Sequence, residues 1–230
     1  MNKKITLYHG SERIIQKPLY GEGRAHNDFG QGFYCTEELE AAREWACTME
    51  KNGFANEYEL DISDLSILDL NTPDYTILNW ITVLLEHRIF RLDNPIAGKT
   101  MKYLKENFSV NVNAYDVVIG YRADDAYYDF ANAFLNNAIT VEQLSAAMRL
   151  GKLGEQFALK SPYAFEKLRF KQFHTAEREI YYPKKKAGNE KAIEEYRKME
   201  EETVDGLYMI DILRKKVKND DPCLPRNLSL

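Results

Sequence analysis

The feature that most restricts the fold is the lack of any regular strand–helix–strand alternation. The strand-like segments are short, and irregular loops rather than helices separate several of them. A parallel, doubly wound sheet needs a helical crossover after nearly every strand, so that architecture is excluded. The pattern predicts an α+β fold: two small sheets packed face to face, with helices around them. Residues 4–8 read as a strand turned by Gly10-Ser11, and residues 14–32, rich in Gly, Pro, Asn and Asp without a period, read as an ordered loop. A short strand is expected at 32–36. Thr36 would then cap a helix over 37–52 whose apolar face carries Ala41, Ala42, Trp45 and Met49. Strands follow at 54–61 and 66–70, and helices at 76–91 and 99–107. The run YDVVIG, residues 115–120, is β-branched, apolar and ended by glycine, which predicts a buried strand.

Helices are expected at 125–136 and 140–150, the second opened by Thr140 with Gln143 at the capping-box position. A strand at 155–159, a short helix at 162–168 capped by Ser161, and a strand at 169–175 complete the pattern. Composition shifts after Pro183. Residues 184–230 hold eleven basic and ten acidic residues, leaving twenty basic and twenty-six acidic before them. Lys184–Lys186 reads as a solvated hinge, 190–202 as a charged helix, and the apolar run 207–213 (LYMIDIL) as a segment that docks back.

Charge and cysteine content narrow the function. A net charge of -5, with the acidic excess in the first 183 residues, disfavours broad electrostatic capture of nucleic acid. Three cysteines without a CxxC pair argue against a disulfide framework or a structural zinc site, and no metal site is expected. The N-terminus lacks an apolar signal core, and the apolar runs are too short to span a bilayer. These features predict a cytoplasmic protein without a membrane partner. A secreted effector or a phage-borne protein would look the same.

Two segments suggest chemistry. In Tyr8-His9-Gly10-Ser11, the imidazole could donate to a ribose hydroxyl, and Gly10 would let a ligand approach the backbone closely. A lone histidine is more often a structural hydrogen-bonding residue, and that is the alternative here. In Asp28-Phe29-Gly30-Gln31-Gly32-Phe33-Tyr34, the glycines make a tight turn before an aromatic strand, and Tyr34 could offer a flat ring for stacking. A plain hairpin with a core aromatic is the alternative. The glycine spacing fits neither a Rossmann nor a P-loop motif. Asp124 and Asp125 read as a helix cap, with acid–base work or metal binding as the alternatives for paired carboxylates. Arg24 and His26 are loop residues that could meet phosphates.

Taken together, Tyr8–Ser11 and Gly30-Gln31-Gly32-Phe33-Tyr34 resemble the histidine motif and the glycine-rich, tyrosine-ended strand of the poly(ADP-ribose) polymerase branch of the ADP-ribosyltransferase superfamily. With YDVVIG, Ala123-Asp124-Asp125 and Gln156–Ser161, the set is similar to an uncharacterised bacterial and phage family grouped with those enzymes. The resemblance spans about residues 5–170. It implies an ADP-ribosyltransferase-like split β-sandwich over residues 1–183, with 184–230 as a docked helical extension. It also implies NAD as substrate, bound by His9, Gly10, Ser11, Gly32, Tyr34 and Trp45, with His9 at the adenosine-side ribose, Tyr34 stacked on the nicotinamide and Trp45 as a second ring face. The implied activity is mono-ADP-ribosyl transfer to a protein, nucleic acid or small molecule, as a toxin or effector would perform it. The alternatives are NAD hydrolysis, or a non-catalytic NAD or ADP-ribose binding module. In Gly154-Glu155-Gln156-Phe157-Ala158, the resemblance puts Gln156 where the superfamily carries a catalytic glutamate, with Glu155 beside it. Strand alternation allows only one of these two candidate catalytic residues to face a ligand.

Overall fold

A computed structural model describes residues 3–90, 97–122, 125–148, 155–201 and 205–226. Two sheets form. Strands β1 (Lys4–Ser11), β3 (Gly53–Asp61) and β7 (Leu168–Ala176) build a three-stranded antiparallel sheet in the order β1-β3-β7. Strands β2 (Phe33–Cys35), β4 (Ile67–Asp69), β5 (Val117–Tyr121) and β6 (Glu155–Leu159) build a four-stranded sheet in the order β2-β6-β5-β4, in which only the β4–β5 pair is parallel. The sheets meet where Tyr8 and Thr36 exchange backbone hydrogen bonds of 2.7 and 2.9 Å. The molecule is therefore α+β, with no run of parallel strands beyond that one pair among the described residues.

Alternation along the strands sorts the core into two layers. Val117, Phe157 and Leu159 share an apolar cluster with Leu7 and Leu60 of the other sheet, which places that cluster between the sheets. Their neighbours Leu68, Val118 and Ala158 join a larger cluster with the helices. Those helices are α2 (Ile77–His87), α3 (Ala97–Phe108), α4 (Asp125–Leu135), α5 (Val141–Ala147), α7 (Arg178–Glu201) and α8 (Met209–Lys215). Helix α2 is buried at every position from Ile77 to Leu85, as expected of a helix apolar on all sides. Thr140 and Gln143 form the reciprocal capping box at the start of α5, with bonds of 3.2 and 3.0 Å. Ser161 caps α6 (Pro162–Lys167) by accepting from Ala164 N–H at 3.0 Å.

Several expectations need correction. Gly10-Ser11 is not a turn: β1 continues through both, paired with Ala55 and Phe54. Helix α1 spans only Leu39–Ala46. Thr36 is committed to its bridge with Tyr8, and Cys47 is already extended, so neither end can grow. Met49 therefore lies off the helix and is 66% exposed. Lys184–Lys186 is not a hinge, because α7 runs through it and across the expected 183/184 boundary. Charged i,i+4 pairs such as Lys186–Glu190 and Lys198–Glu194 line this helix, and Lys184 reaches Glu40 of α1 at 3.4 Å. The composition shift after Pro183 thus falls inside a continuous helix.

The C-terminal segment does dock. Ala192, Tyr196, Leu207, Met209 and Ile212 belong to the main core, and Val141 N–H donates to the Leu207 carbonyl at 2.9 Å. Asp124 lies outside the described residues, as do Ala123 and Gly154. No helix among the described residues is long and apolar enough to cross a membrane.

Candidate functional site

A cleft of about 770 Å³ is lined by residues of both sheets, of the helix over Leu39–Ala46 and of the loop before β2, within the size range of ligand sites. Its wall brings together His9, Gly10 and Ser11 of β1, Gly32 and Tyr34 around β2, Trp45 of α1 and Gln156 of β6. First and last of these are 147 positions apart in sequence. Glu155 is absent from the wall. It points to the opposite face of β6, where its carboxylate accepts from Asn71 Nδ2 at 2.7 Å. Burial, with smaller contributions from Asp69 and Glu37, pushes the Glu155 pKa up against the Asn71 bond.

The loop between β1 and β2 that roofs the cleft is held at its start by a buried amide and by the Tyr58 hydroxyl, which donates to the Ile15 carbonyl. Asn56 of β3 donates to the carbonyls of His9 (3.2 Å) and Arg13 (3.1 Å), and its Oδ1 accepts from Ile15 N–H (2.9 Å). Gln31 adds bonds to the Gly21 and Gly23 carbonyls. Gly30 sits at φ +77° and turns the chain into β2. The Tyr34 hydroxyl closes this turn, donating to the Gly30 carbonyl at 2.6 Å and accepting from Phe29 N–H at 3.0 Å. Tyr34 is thus both scaffold and cleft wall. Burial pushes its phenol pKa up, so it stays protonated.

His9 is oriented by two contacts. Its ring stacks on Phe33 at 4.2 Å, and its Nδ1 lies 2.7 Å from the Tyr34 carbonyl. A carbonyl only accepts, so Nδ1 carries the proton. Burial lowers the His9 pKa, which the carbonyl bond only partly opposes, and the ring is neutral near pH 7. Nε2 is then an acceptor. That reverses the donor role expected of this imidazole: in the neutral ring Nε2 can only accept a hydrogen bond.

Gly10, which lines the cleft, also has a packing role. A Cβ there would lie 2.2 Å from the Ala42 carbonyl and 2.9 Å from Trp45 Cβ. The missing side chain is what lets α1 sit on β1 and bring Trp45 to the cleft. One face of the Trp45 ring is covered by the Arg122 guanidinium, 4.4 Å from the ring centroid.

Residues the sequence reading passed over complete the site. Asp28, 6% exposed, pairs with Arg88 at 3.0 Å and accepts from Gln156 Nε2 at 2.8 Å. The second Gln156 amide hydrogen goes to the Tyr121 carbonyl at 3.0 Å. Five cations, Arg13, Lys17, Arg24, Arg88 and Arg122, line the cleft against two carboxylates, Glu22 and Asp28, although the chain as a whole is acidic. Arg24 is among them. His26 is not, and its Nδ1 lies 3.3 Å from the His87 carbonyl instead. Asp28 was visible in the glycine-turn motif, but nothing in the sequence couples it to Arg88, sixty positions on. Among the described residues, no group of three or more His, Cys, Asp or Glu side chains is arranged to hold a metal ion.

No curated protein and no solved structure matches the chain. A family described as "Protein of unknown function (DUF3990)" matches residues 5–170, from the first strand of the cleft to the start of β7, and the chain belongs to that family.

Proposed function

We propose that the chain is an ADP-ribosyltransferase-like protein whose cleft holds NAD, and that its two sheets are the split β-sandwich of that superfamily. The observation that carries this reading is the convergence of His9, Tyr34, Trp45 and Gln156 on one cleft from four separate elements. Their chemistry suits the parts of a dinucleotide. His9 Nε2 accepts from the adenosine-side ribose. Tyr34 and Trp45 flank the nicotinamide ring. That ring is cationic in NAD, and Trp45 already receives a cation on its face from Arg122. The excess of arginine and lysine along the wall suits the diphosphate.

Chemistry would follow at the bond between nicotinamide and ribose. It breaks with its electron pair leaving on nicotinamide, and positive charge develops on the ribose as in glycoside cleavage. Gln156 has both amide hydrogens committed to protein, so its Oε1 is the group that accepts from a ribose hydroxyl. The acceptor nucleophile then attacks the ribose carbon and loses its proton. The same neutral amide favours a second reading, a module that binds NAD without cleaving it, because an amide stabilises developing cation less than a carboxylate does.

Incubation with labelled NAD tests the reading. Nicotinamide release with label on a macromolecule or small acceptor supports transfer, and release with free ADP-ribose supports hydrolysis. Saturable binding without release supports the module, and neither binding nor release refutes the proposal.

A further inference from the structure

We infer that Asp28 is a positioning residue for Gln156, and that the two act as one unit in place of the single glutamate of the resembled enzymes. This rests on the NAD-cleaving reading above. Gln156 is 4% exposed, and its amide can be oriented in only one way. Asp28 Oδ2 at 2.8 Å and the Tyr121 carbonyl at 3.0 Å are both acceptors, so the nitrogen must face them. The orientation fixes Oε1 as the atom with acceptor capacity for a ligand. Donating to a carboxylate also draws electron density onto the amide oxygen, which makes Oε1 a stronger acceptor than an amide bonded to neutral groups. The negative charge therefore enters the site on the roof loop, one hydrogen bond behind the ligand, with Arg88 compensating it at 3.0 Å.

The same geometry explains why position 156 is not a glutamate here. A carboxylate in that place would face a second carboxylate at 2.8 Å and a carbonyl at 3.0 Å, with no proton between them. Donor at 156 and carboxylate at 28 are complementary, and so is the reverse arrangement. Asp28 and Gln156 come from opposite ends of the matched stretch, 128 positions apart, so the pair joins the roof loop to β6 as well as setting the amide.

The test uses the full chain with three variants: D28N, Q156E and the double D28N/Q156E. Nicotinamide release, equilibrium binding of NAD and thermal melting are measured for each. D28N is expected to lower turnover at least tenfold while the Kd for NAD stays within about threefold of wild type, because the amide loses its fixed orientation but the cleft wall remains. Q156E alone is expected to lower both melting temperature and turnover, with the melting deficit shrinking at acid pH as one of the facing carboxyls takes up a proton. The double variant exchanges donor and carboxylate and keeps a charge beside Arg88, so both properties should return toward wild type. It carries the test even if D28N does not fold: a folded but inactive double variant overturns the proposal. So does wild-type turnover in D28N, or a Q156E protein that is stable and faster than wild type. Those results leave the NAD reading standing. A wild-type protein inert toward NAD refutes that reading and this inference with it.

Discussion

Replacing Gly10 by alanine tests how the cleft is assembled. The new Cβ would lie 2.2 Å from the Ala42 carbonyl, 2.8 Å from Ala46 N and 2.9 Å from Trp45 Cβ. All three belong to one helix, and two are backbone atoms, so no rotamer change relieves the clash. Ordinary contact begins near 3.4 Å, and α1 must therefore retreat by about 1.2 Å. Overpacking of this kind costs about 1–3 kcal/mol. In a chain of this size each kcal/mol lowers Tm by about 2–4 °C, so the G10A protein should melt roughly 2–12 °C below wild type. G188A is the matched control. Gly188 lies within α7 with nothing within 4 Å of its would-be Cβ, and alanine there should raise stability by about 0.5–1 kcal/mol. Differential scanning calorimetry reads both. Because α1 carries Trp45, G10A should also shift the tryptophan emission, while fully buried Trp80 supplies a constant background. A G10A protein with wild-type Tm and emission would refute the claim that this glycine seats α1 and thereby Trp45.

Three further outcomes follow from the same structure. His9 is held below its ordinary pKa of 6.5 by burial, so below that pH the unfolded chain takes up a proton that the folded one refuses. Stability should be level in this respect above pH 6.5 and fall as the pH drops from there, and H9Q should melt with a shallower acid slope; an unchanged slope contradicts the assignment. Glu155→Gln should leave nicotinamide release within about threefold of wild type, since that side chain lies off the cleft and a glutamine carbonyl keeps the Asn71 bond; loss of turnover would move the chemistry to the other face of β6. Ile212→Ala in α8 deletes a fully buried side chain and should cost about 2–5 kcal/mol, read as a drop in Tm, whereas an unchanged Tm would mean that the C-terminal segment does not stabilise the core.

Strand signals in the sequence carried far because they rest on local alternation. The segments at 54–61, 155–159 and 169–175 fall within a residue of β3, β6 and β7. Capping chemistry was equally local, and Thr140, Gln143 and Ser161 act as their spacing predicts. Errors came where a distant partner overrides a local signal. Thr36 has a good capping side chain but is claimed by Tyr8 across the sheet junction. Gly10 looks like a turn former, yet its constraint is set by a helix thirty residues away. Lys184–Lys186 resembles a hinge because its charges are read without Glu40 and the i,i+4 partners. The candidate site shows the same division. His9 and Tyr34 could be named from short motifs, and Trp45 and Gln156 from the family resemblance, whereas Asp28, Arg88 and Arg122 matter through contacts that no sequence spacing encodes. The direction of the His9 bond was also out of reach, since it depends on where the Tyr34 carbonyl points.

The central claim is that one cleft holds NAD between His9 and the Tyr34 ring. Equilibrium dialysis of radiolabelled NAD against wild type, Y34F and Y34A measures it most directly. Y34F keeps the ring and loses only the hydroxyl bonds that close the Gly30 turn. Y34A also loses a stacking surface worth about 0.5–1.5 kcal/mol beyond its buried area. The account predicts one saturable site in wild type, affinity in Y34F close to it, and affinity in Y34A weaker by roughly tenfold. No saturable binding to wild type, or equal affinity in wild type and folded Y34A, would contradict it.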